Sequence, residues 1–279
     1  MKKVLLKSVI GLLSASLIIT SCKKEEEKPT EDFVAVDDLN QAYAESDDAV
    51  DVAETVMRDR NSAMRMTEDM QTAADYCGAT ITVTQKTDSE KGKIEIDFGS
   101  GKTCGNKTRK GKIIITFTGK YWVAGTTQEM TFDNYYVNNR KIEGKKIFTH
   151  TQENNKYSTH IVVTDGKVTL ADGSKIEWVS DRTRTWDSKG TETLSDDEVT
   201  VTGSFSGKDK SVKSFVAEIT TPLLLKASCL QTSGLVPVSG VLEITPEGKA
   251  KRIINYGDGA CDRTYTVTVN NFTFSRTVN

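Results

Sequence analysis

Five cysteines and two histidines carry the sharpest chemistry in this chain of 279 residues. A Ser-His-Asp or Cys-His centre needs a histidine within reach of its nucleophile. His150 and His160 both fall in stretches that alternate like strands, and the sequence has no Gly-x-Ser-x-Gly elbow. They read as histidines of a sheet face or surface. Paired carboxylates can cleave glycosidic bonds, and the chain holds 39 acidic residues. A solvated surface carries many carboxylates in any case, so an undetected glycan hydrolase is a second alternative and the expectation is a protein that is not an enzyme.

Cys22 has the most defined setting. Met1-Lys2-Lys3 and Lys7 form a positive start, and an apolar run of eleven residues from Val9 to Ile19 follows. That run is too short for a membrane span and has the length of a signal-peptide core. Ile19, Thr20 and Ser21 then lead into Cys22, an arrangement that resembles the bacterial lipobox. The resemblance implies cleavage before Cys22, with residues 1–21 as leader, and acylation of its thiol. Each buried methylene contributes about 0.8 kcal/mol, so two or three acyl chains anchor firmly. The following Lys23-Lys24-Glu25-Glu26-Glu27 resembles the acidic surface-export signal of Bacteroidota-type lipoproteins. The expected location is the outer membrane, lipid-anchored and facing the cell surface, with a periplasm-facing anchor as the alternative. Residues 22–35 read as an acylated tether.

The other cysteines, Cys77, Cys104, Cys229 and Cys261, include no pair close enough for a zinc knuckle, and two histidines are too few to complete a site. No metal and no cofactor are expected. An even number in an exported protein favours disulfides. Lys93–Cys104 reads K-I-E-I-D-F-G-S-G-K-T-C and Arg252–Cys261 reads R-I-I-N-Y-G-D-G-A-C. Each is a strand, an aromatic residue, Gly-x-Gly and a cysteine, with another cysteine farther upstream. A hairpin that starts near Cys77 and turns around Asp88–Gly92 returns Cys104 to its starting end. The same geometry returns Cys261 toward Cys229. The expected pairs are therefore Cys77–Cys104 and Cys229–Cys261, each contributing about 3–4 kcal/mol by loop-closure entropy. Asp97, Asp258 and Asp262 beside the glycines raise the idea of a calcium loop, but the EF-hand spacing is missing. No helix follows to form a phosphate cradle, so tight turns account for the glycines.

The elements that hold these residues follow from periodicity. Removing Lys2, Lys3 and Lys7 with the leader leaves 34 basic against 39 acidic side chains, a mature charge of about −5. That balance offers no basic stripe for nucleic acid. From Val36 to about Asp59, Leu39, Tyr43, Val50, Ala53 and Met57 recur at helical spacing. A second helical stretch from Ser62 to Ala74 carries Met64, Met66 and Met70, gap-fillers against a sheet. Residues 36–76 are thus a helical segment packing on the 77–279 β domain. Beyond Cys77 the period becomes two, through fourteen strand-like stretches from Thr80–Thr84 to Phe272–Arg276. Asp165-Gly166, Asp172-Gly173, Glu247-Gly248 and Asn270-Asn271 are the turn signals between them. With no helical window in this region, antiparallel pairing is the economical solution. The fold class is mainly β: a large curved antiparallel meander sheet, or incomplete barrel, around an N-terminal amphipathic helix. A two-sheet sandwich is the second choice.

The runs Arg109–Thr116, Thr131–Asn138 and Tyr256–Asp262 resemble a group of uncharacterised Bacteroidota lipoproteins over most of the chain after Cys77. That group brings no known activity, so no functional residue is transferred. Exposed aromatics on such a protein can grip a sugar or a partner; among them Trp122, in a loop over Tyr121–Thr126, is the candidate contact. The expected role is a binding or structural module of the cell envelope. Its partners would be the membrane, through the acyl chains, and an envelope protein, glycan or lipid. A half-barrel carrier of lipid or another apolar ligand is the alternative.

Overall fold

The computed structural model describes residues 33–63, 76–84, 91–118, 123–153, 156–229 and 236–277. Among these residues one helix, α1 (Val34–Ala63), precedes the sheet. Its 30 residues contain neither glycine nor proline, and Asp37 lies in its first turn, where the helix dipole favours negative charge. The helix starts two residues before the Val36 expected and runs four beyond Asp59. Of the second helical stretch, only Ser62 and Ala63 lie within the described residues, and they belong to α1; Met64, Met66 and Met70 lie outside.

Fourteen strands follow among the described residues. The first half comprises β1 (Thr80–Thr84), β2 (Lys91–Asp97), β3 (Lys102–Cys104), β4 (Lys107–Thr118), β5 (Thr127–Val137), β6 (Arg140–Glu153) and β7 (Lys156–Thr169). The second half comprises β8 (Lys175–Asp187), β9 (Glu198–Lys208), β10 (Ser214–Lys226), β11 (Ser239–Pro246), β12 (Arg252–Asp258), β13 (Thr264–Val269) and β14 (Phe272–Thr277). All belong to one antiparallel sheet in chain order, with the short β3 attached to β4 and with β1 and β14 at its two open edges. A single sheet replaces the sandwich alternative. The alternation that predicted it is visible in β4, where Ile113, Ile115 and Phe117 are buried and Thr116 and Thr118 are exposed.

Two details differ from the pattern in the sequence. Asp165-Gly166 is not a turn between strands but a bulge inside β7, which pairs with β6 and β8 on either side of it. Asp165 takes a positive φ of 53°, and Gly166 lies under Trp178, where an added Cβ would sit 2.7 Å from the indole. A bulge and a tight turn recruit the same residue types, and only the neighbouring strands decide between them. Cys104 reaches its partner by another route as well. After Gly99–Gly101 the chain turns into β3, which pairs with β4, so Cys104 does not sit on the strand returning from β1. Of the turn expected at Asp88–Gly92, Gly92 already belongs to β2 and residues 85–90 are outside the described set.

Twelve steps between neighbouring strands at about 4.8 Å would make a flat sheet about 58 Å wide. This one curls instead. Asp47 and Asp48 are adjacent in α1, so their side chains leave the axis about 100° apart. Asp47 meets Lys146 on β6 and Arg182 on β8, whereas Asp48 meets Arg109 on β4. The sheet must therefore wrap round the helix. Val36, Leu39, Ala42, Ala49, Val52 and Val56 of α1 are all buried against the inward row that holds Ile94, Ile113, Ile161, Ile244 and Val267. Phe33, just ahead of α1, packs edge-on against Phe274 of β14, with ring centroids 5.3 Å apart.

Candidate functional site

The most charged interior region is the seam between α1 and the concave face of the sheet. The helix carries eight acidic residues, and six of them, Asp37, Asp38, Glu45, Asp47, Asp48 and Glu54, meet cations projected from strands or turns. Arg276 donates to Asp37 at 3.0 and 3.1 Å. Lys210, in the β9–β10 turn, gives both its backbone N–H and its ammonium to Asp38. Arg140 binds Glu45. Arg109 grips Asp48 with two nitrogens at 2.8 and 2.6 Å, a geometry that suits the planar guanidinium, and Lys107 adds a third contact.

The centre of the seam is Asp47, Asp51 and Glu54, spaced four and three residues apart and hence on one helix face. Lys146 donates to Asp47 at 3.1 Å and to the Ser46 carbonyl at 2.6 Å; Arg182 reaches Asp47 at 3.4 Å. Arg184 stands 3.8 Å from Glu54. Gly203 lies opposite Arg182 on β9, where the two backbones approach closely. That glycine has φ 127°, and a Cβ there would strike the Asp181 carbonyl oxygen at 2.1 Å. Burial alone would raise the pKa of Asp47, but Arg182, Lys146 and Arg184 outweigh it and hold the carboxyl well below its ordinary range. Asp51 goes the other way: burial, then the charges of Asp47 and Glu54, push it up to about 7 against the opposing pull of Arg184. Burial lowers Lys146 to about 8, partly offset by Asp47.

A carboxyl poised near neutrality beside an ionised one is a usual arrangement for acid–base chemistry. Here the ionised member is bonded to Lys146 and Arg182, which are 1% and 3% exposed, so substrate would have to displace the helix to reach it. The arrangement clamps α1 to the sheet. At the C-terminal half of α1 the seam opens into a narrow cleft lined by Val50, Glu54, Gln128, His150, Tyr157 and Arg184. His150 stacks on Tyr157 with centroids 5.4 Å apart and shares a 3.1 Å hydrogen bond with Thr159. Burial lowers its pKa to about 4, so it is a neutral imidazole at physiological pH. Among the described residues the hydroxyl beside it is that of Thr159, and no serine or cysteine lines this cleft.

The residues singled out in the sequence are dispersed. His160 lies on the opposite, convex face, bonded to Asp181 at 2.7 Å. Cys77 and Cys104 are at disulfide distance, with Cα atoms 5.4 Å apart, as are Cys229 and Cys261 at 5.0 Å. These are the pairs the repeated strand–Gly-x-Gly–Cys order predicts. Asp97 accepts the Gly99 N–H and Asp262 the Thr264 N–H, each closing a local turn. Among the described residues no three His, Cys, Asp or Glu side chains come together as a metal site would require. Trp122 and Cys22 lie outside the described residues; Val123, next to Trp122, is exposed. No helix among the described residues is long and apolar enough to cross a membrane.

The charged seam itself was missed in the sequence, although it leaves a signal. Lys146 falls on the same alternating row as Phe148 and His150, and Arg182 on the row of Ile176, Trp178 and Ser180. A cation in an apolar row, matched to an acidic row on one helix face, marks a buried ion pair.

No protein-family model matches the chain, and no curated protein or solved structure matches it.

Proposed function

We propose that this protein is a non-catalytic module of the bacterial cell envelope, tethered to the outer membrane by acyl chains on Cys22 and acting through binding or structural contacts. The observation that carries the non-catalytic, non-carrier part is the occupied concavity. An incomplete barrel that carries lipid needs a dry apolar groove, and α1 fills that place here with Val36, Ala42, Ala49 and Val52. Along the same seam Asp38, Glu45, Asp47, Asp48 and Glu54 are matched to cations from the sheet or its turns. The anchoring part rests on the lipobox-like Ile19-Thr20-Ser21-Cys22 and the charged tether behind it. The surface-facing orientation rests on Lys23-Lys24-Glu25-Glu26-Glu27.

Metabolic labelling with an alkyne fatty acid tests the anchor. The native chain takes up label and fractionates with membranes; Cys22→Ala loses the label and leaves the membrane fraction. Label or membrane retention persisting in Cys22→Ala would sink the proposal. Lipid mass spectrometry of the natively purified protein separates the carrier alternative, since a carrier retains a stoichiometric lipid beyond the chains on Cys22. Protease accessibility on intact cells reports the orientation.

A further inference from the structure

We infer that the convex face of strands β7–β11 is a docking surface for a cationic β-strand segment of another protein. Six large hydrophobic side chains are exposed among the described residues, and three of them, Val179, Val216 and Ile253, gather on this face at 47%, 59% and 37% exposure. Strand register explains the clustering. Val179, Ser206, Val216 and Thr245 are directly opposite one another across β8, β9, β10 and β11, forming one continuous row. Two residues along each strand lies a second row: Val162, Asp181, Ser204, Glu218, Glu243 and Ile253.

Small serines on β9 form the floor and larger residues on either side form the walls, leaving an open trough of about 580 Å³. Its charge is one-sided. Glu243 is matched by Lys251 at 2.6 Å and Asp181 touches His160, while Glu218 has no cation beside it among the described residues. Three carboxylates against one lysine give the trough a negative field that attracts a positive partner.

The spacing of the rows specifies the partner further. Residues two apart on a strand face the same way and stand about 6.6–6.8 Å from each other. A partner strand aligned with β9, with a β-branched aliphatic residue at one position and lysine or arginine two positions on, would set the first on the valine row. The second would then meet the acidic row. Aliphatic contacts at the centre and charge at the rim are the usual division of an interface. This inference deepens the binding-module reading and rests on it for biological meaning, but it is independent of Cys22.

The test uses the full chain and a fluorescein-labelled nonapeptide, Lys-Thr-Val-Thr-Lys-Thr-Val-Thr-Lys, followed by fluorescence anisotropy. Saturable binding is expected, weakened about tenfold or more by Val179→Ser with Val216→Ser and about threefold by Glu218→Gln. The same peptide with glutamate for each lysine should not bind. All three substitutions are on exposed positions, and unchanged circular dichroism and melting confirm the fold. Absence of saturable binding would overturn the inference, as would equal affinity for the double serine variant, which would mean charge attraction alone. Concentration-dependent self-association abolished by the same serine variants would also overturn it, by making a second copy the occupant. A glycan that binds in place of the peptide would do the same. Loss of fatty-acid label in Cys22→Ala is read separately, so failure here leaves the anchor proposal standing or falling by itself.

Discussion

On the concave face, Asp38, Glu45, Asp47 and Asp48 each meet a lysine or arginine from the sheet. On the convex face above β9, Glu218 has no such partner among the described residues and Val216 stands more than half exposed. The same alternating strands build both surfaces. Taking a carboxylate out of water costs several kcal/mol unless a partner compensates it, so the enclosed face holds these acids in matched pairs, and Asp51, which has no ion pair among the described residues, is pushed toward its neutral form. Water compensates the outer face, which is free to keep unmatched charge and open valines. Matching is therefore demanded on the enclosed face and optional on the outer one, where Glu243 is paired with Lys251 and Glu218 is not paired among the described residues.

The largest test of this contrast is to unmatch the inner face. Asp47→Ala leaves Lys146 and Arg182 buried without their carboxylate, and should cost about 3–5 kcal/mol in urea unfolding. A loss below about 1 kcal/mol would show that the seam is wetter than its burial implies.

A smaller effect is expected from pH. The folded pKa of Asp51, near 7, lies above its ordinary value, so folding favours the protonated form. The share of stability from Asp51 should fall as pH rises from about 4 through 7, in the same sense as those of Asp38 and Glu45, which burial also raises. Asp47 and Asp48, held low by their cations, contribute in the opposite sense: their share is present above about pH 4 and lost below it. Lys146 is charged in both states below about pH 8 and adds no slope in this window. His150, lowered to about 4 by burial, opposes Asp51 between about pH 4 and 6.5, where folding favours its neutral form, so the net decline is expected chiefly above about pH 6. Asp51→Asn should flatten the decline from pH 5 to 8 by about 1–2 kcal/mol, measured by urea melts at each pH. A slope unchanged by that substitution would assign the titration elsewhere.

The smallest effect belongs to the outer face. Val179→Ser and Val216→Ser should each change stability by less than about 0.5 kcal/mol, as for exposed positions in general. A thermal-melt loss above about 2 kcal/mol would place these valines inside a packed contact and erase the contrast between the faces.

How much of this was legible depends on the range of the forces involved. The strands and their inward faces were legible because burial of one face imposes period two on residues such as Ile113, Ile115 and Phe117. The cysteine pairing was legible because the same local order occurs twice. The bulge at Asp165-Gly166 was not, since it depends on β6 and β8 closing on both sides of β7. Nor was the seam: Lys146 and Asp47 are 99 residues apart, and each alone looks like an ordinary surface charge. Their pairing becomes visible only once the curl of the sheet has placed an acidic helix face against misplaced cations.

The contact between Asp37 and Arg276 spans 239 residues and sets an order of events. In chain order α1 precedes every described strand, yet its bed is complete only when β14 has paired. Contacts so far apart in sequence make assembly slow. During that wait the helix would expose the valines and alanines that later become the core. Its eight acidic residues keep it hydrated and mutually repellent to other copies for the duration. The residues that lock the finished fold would thus also act earlier, as a solubilising guard on an element that precedes the strands it docks against.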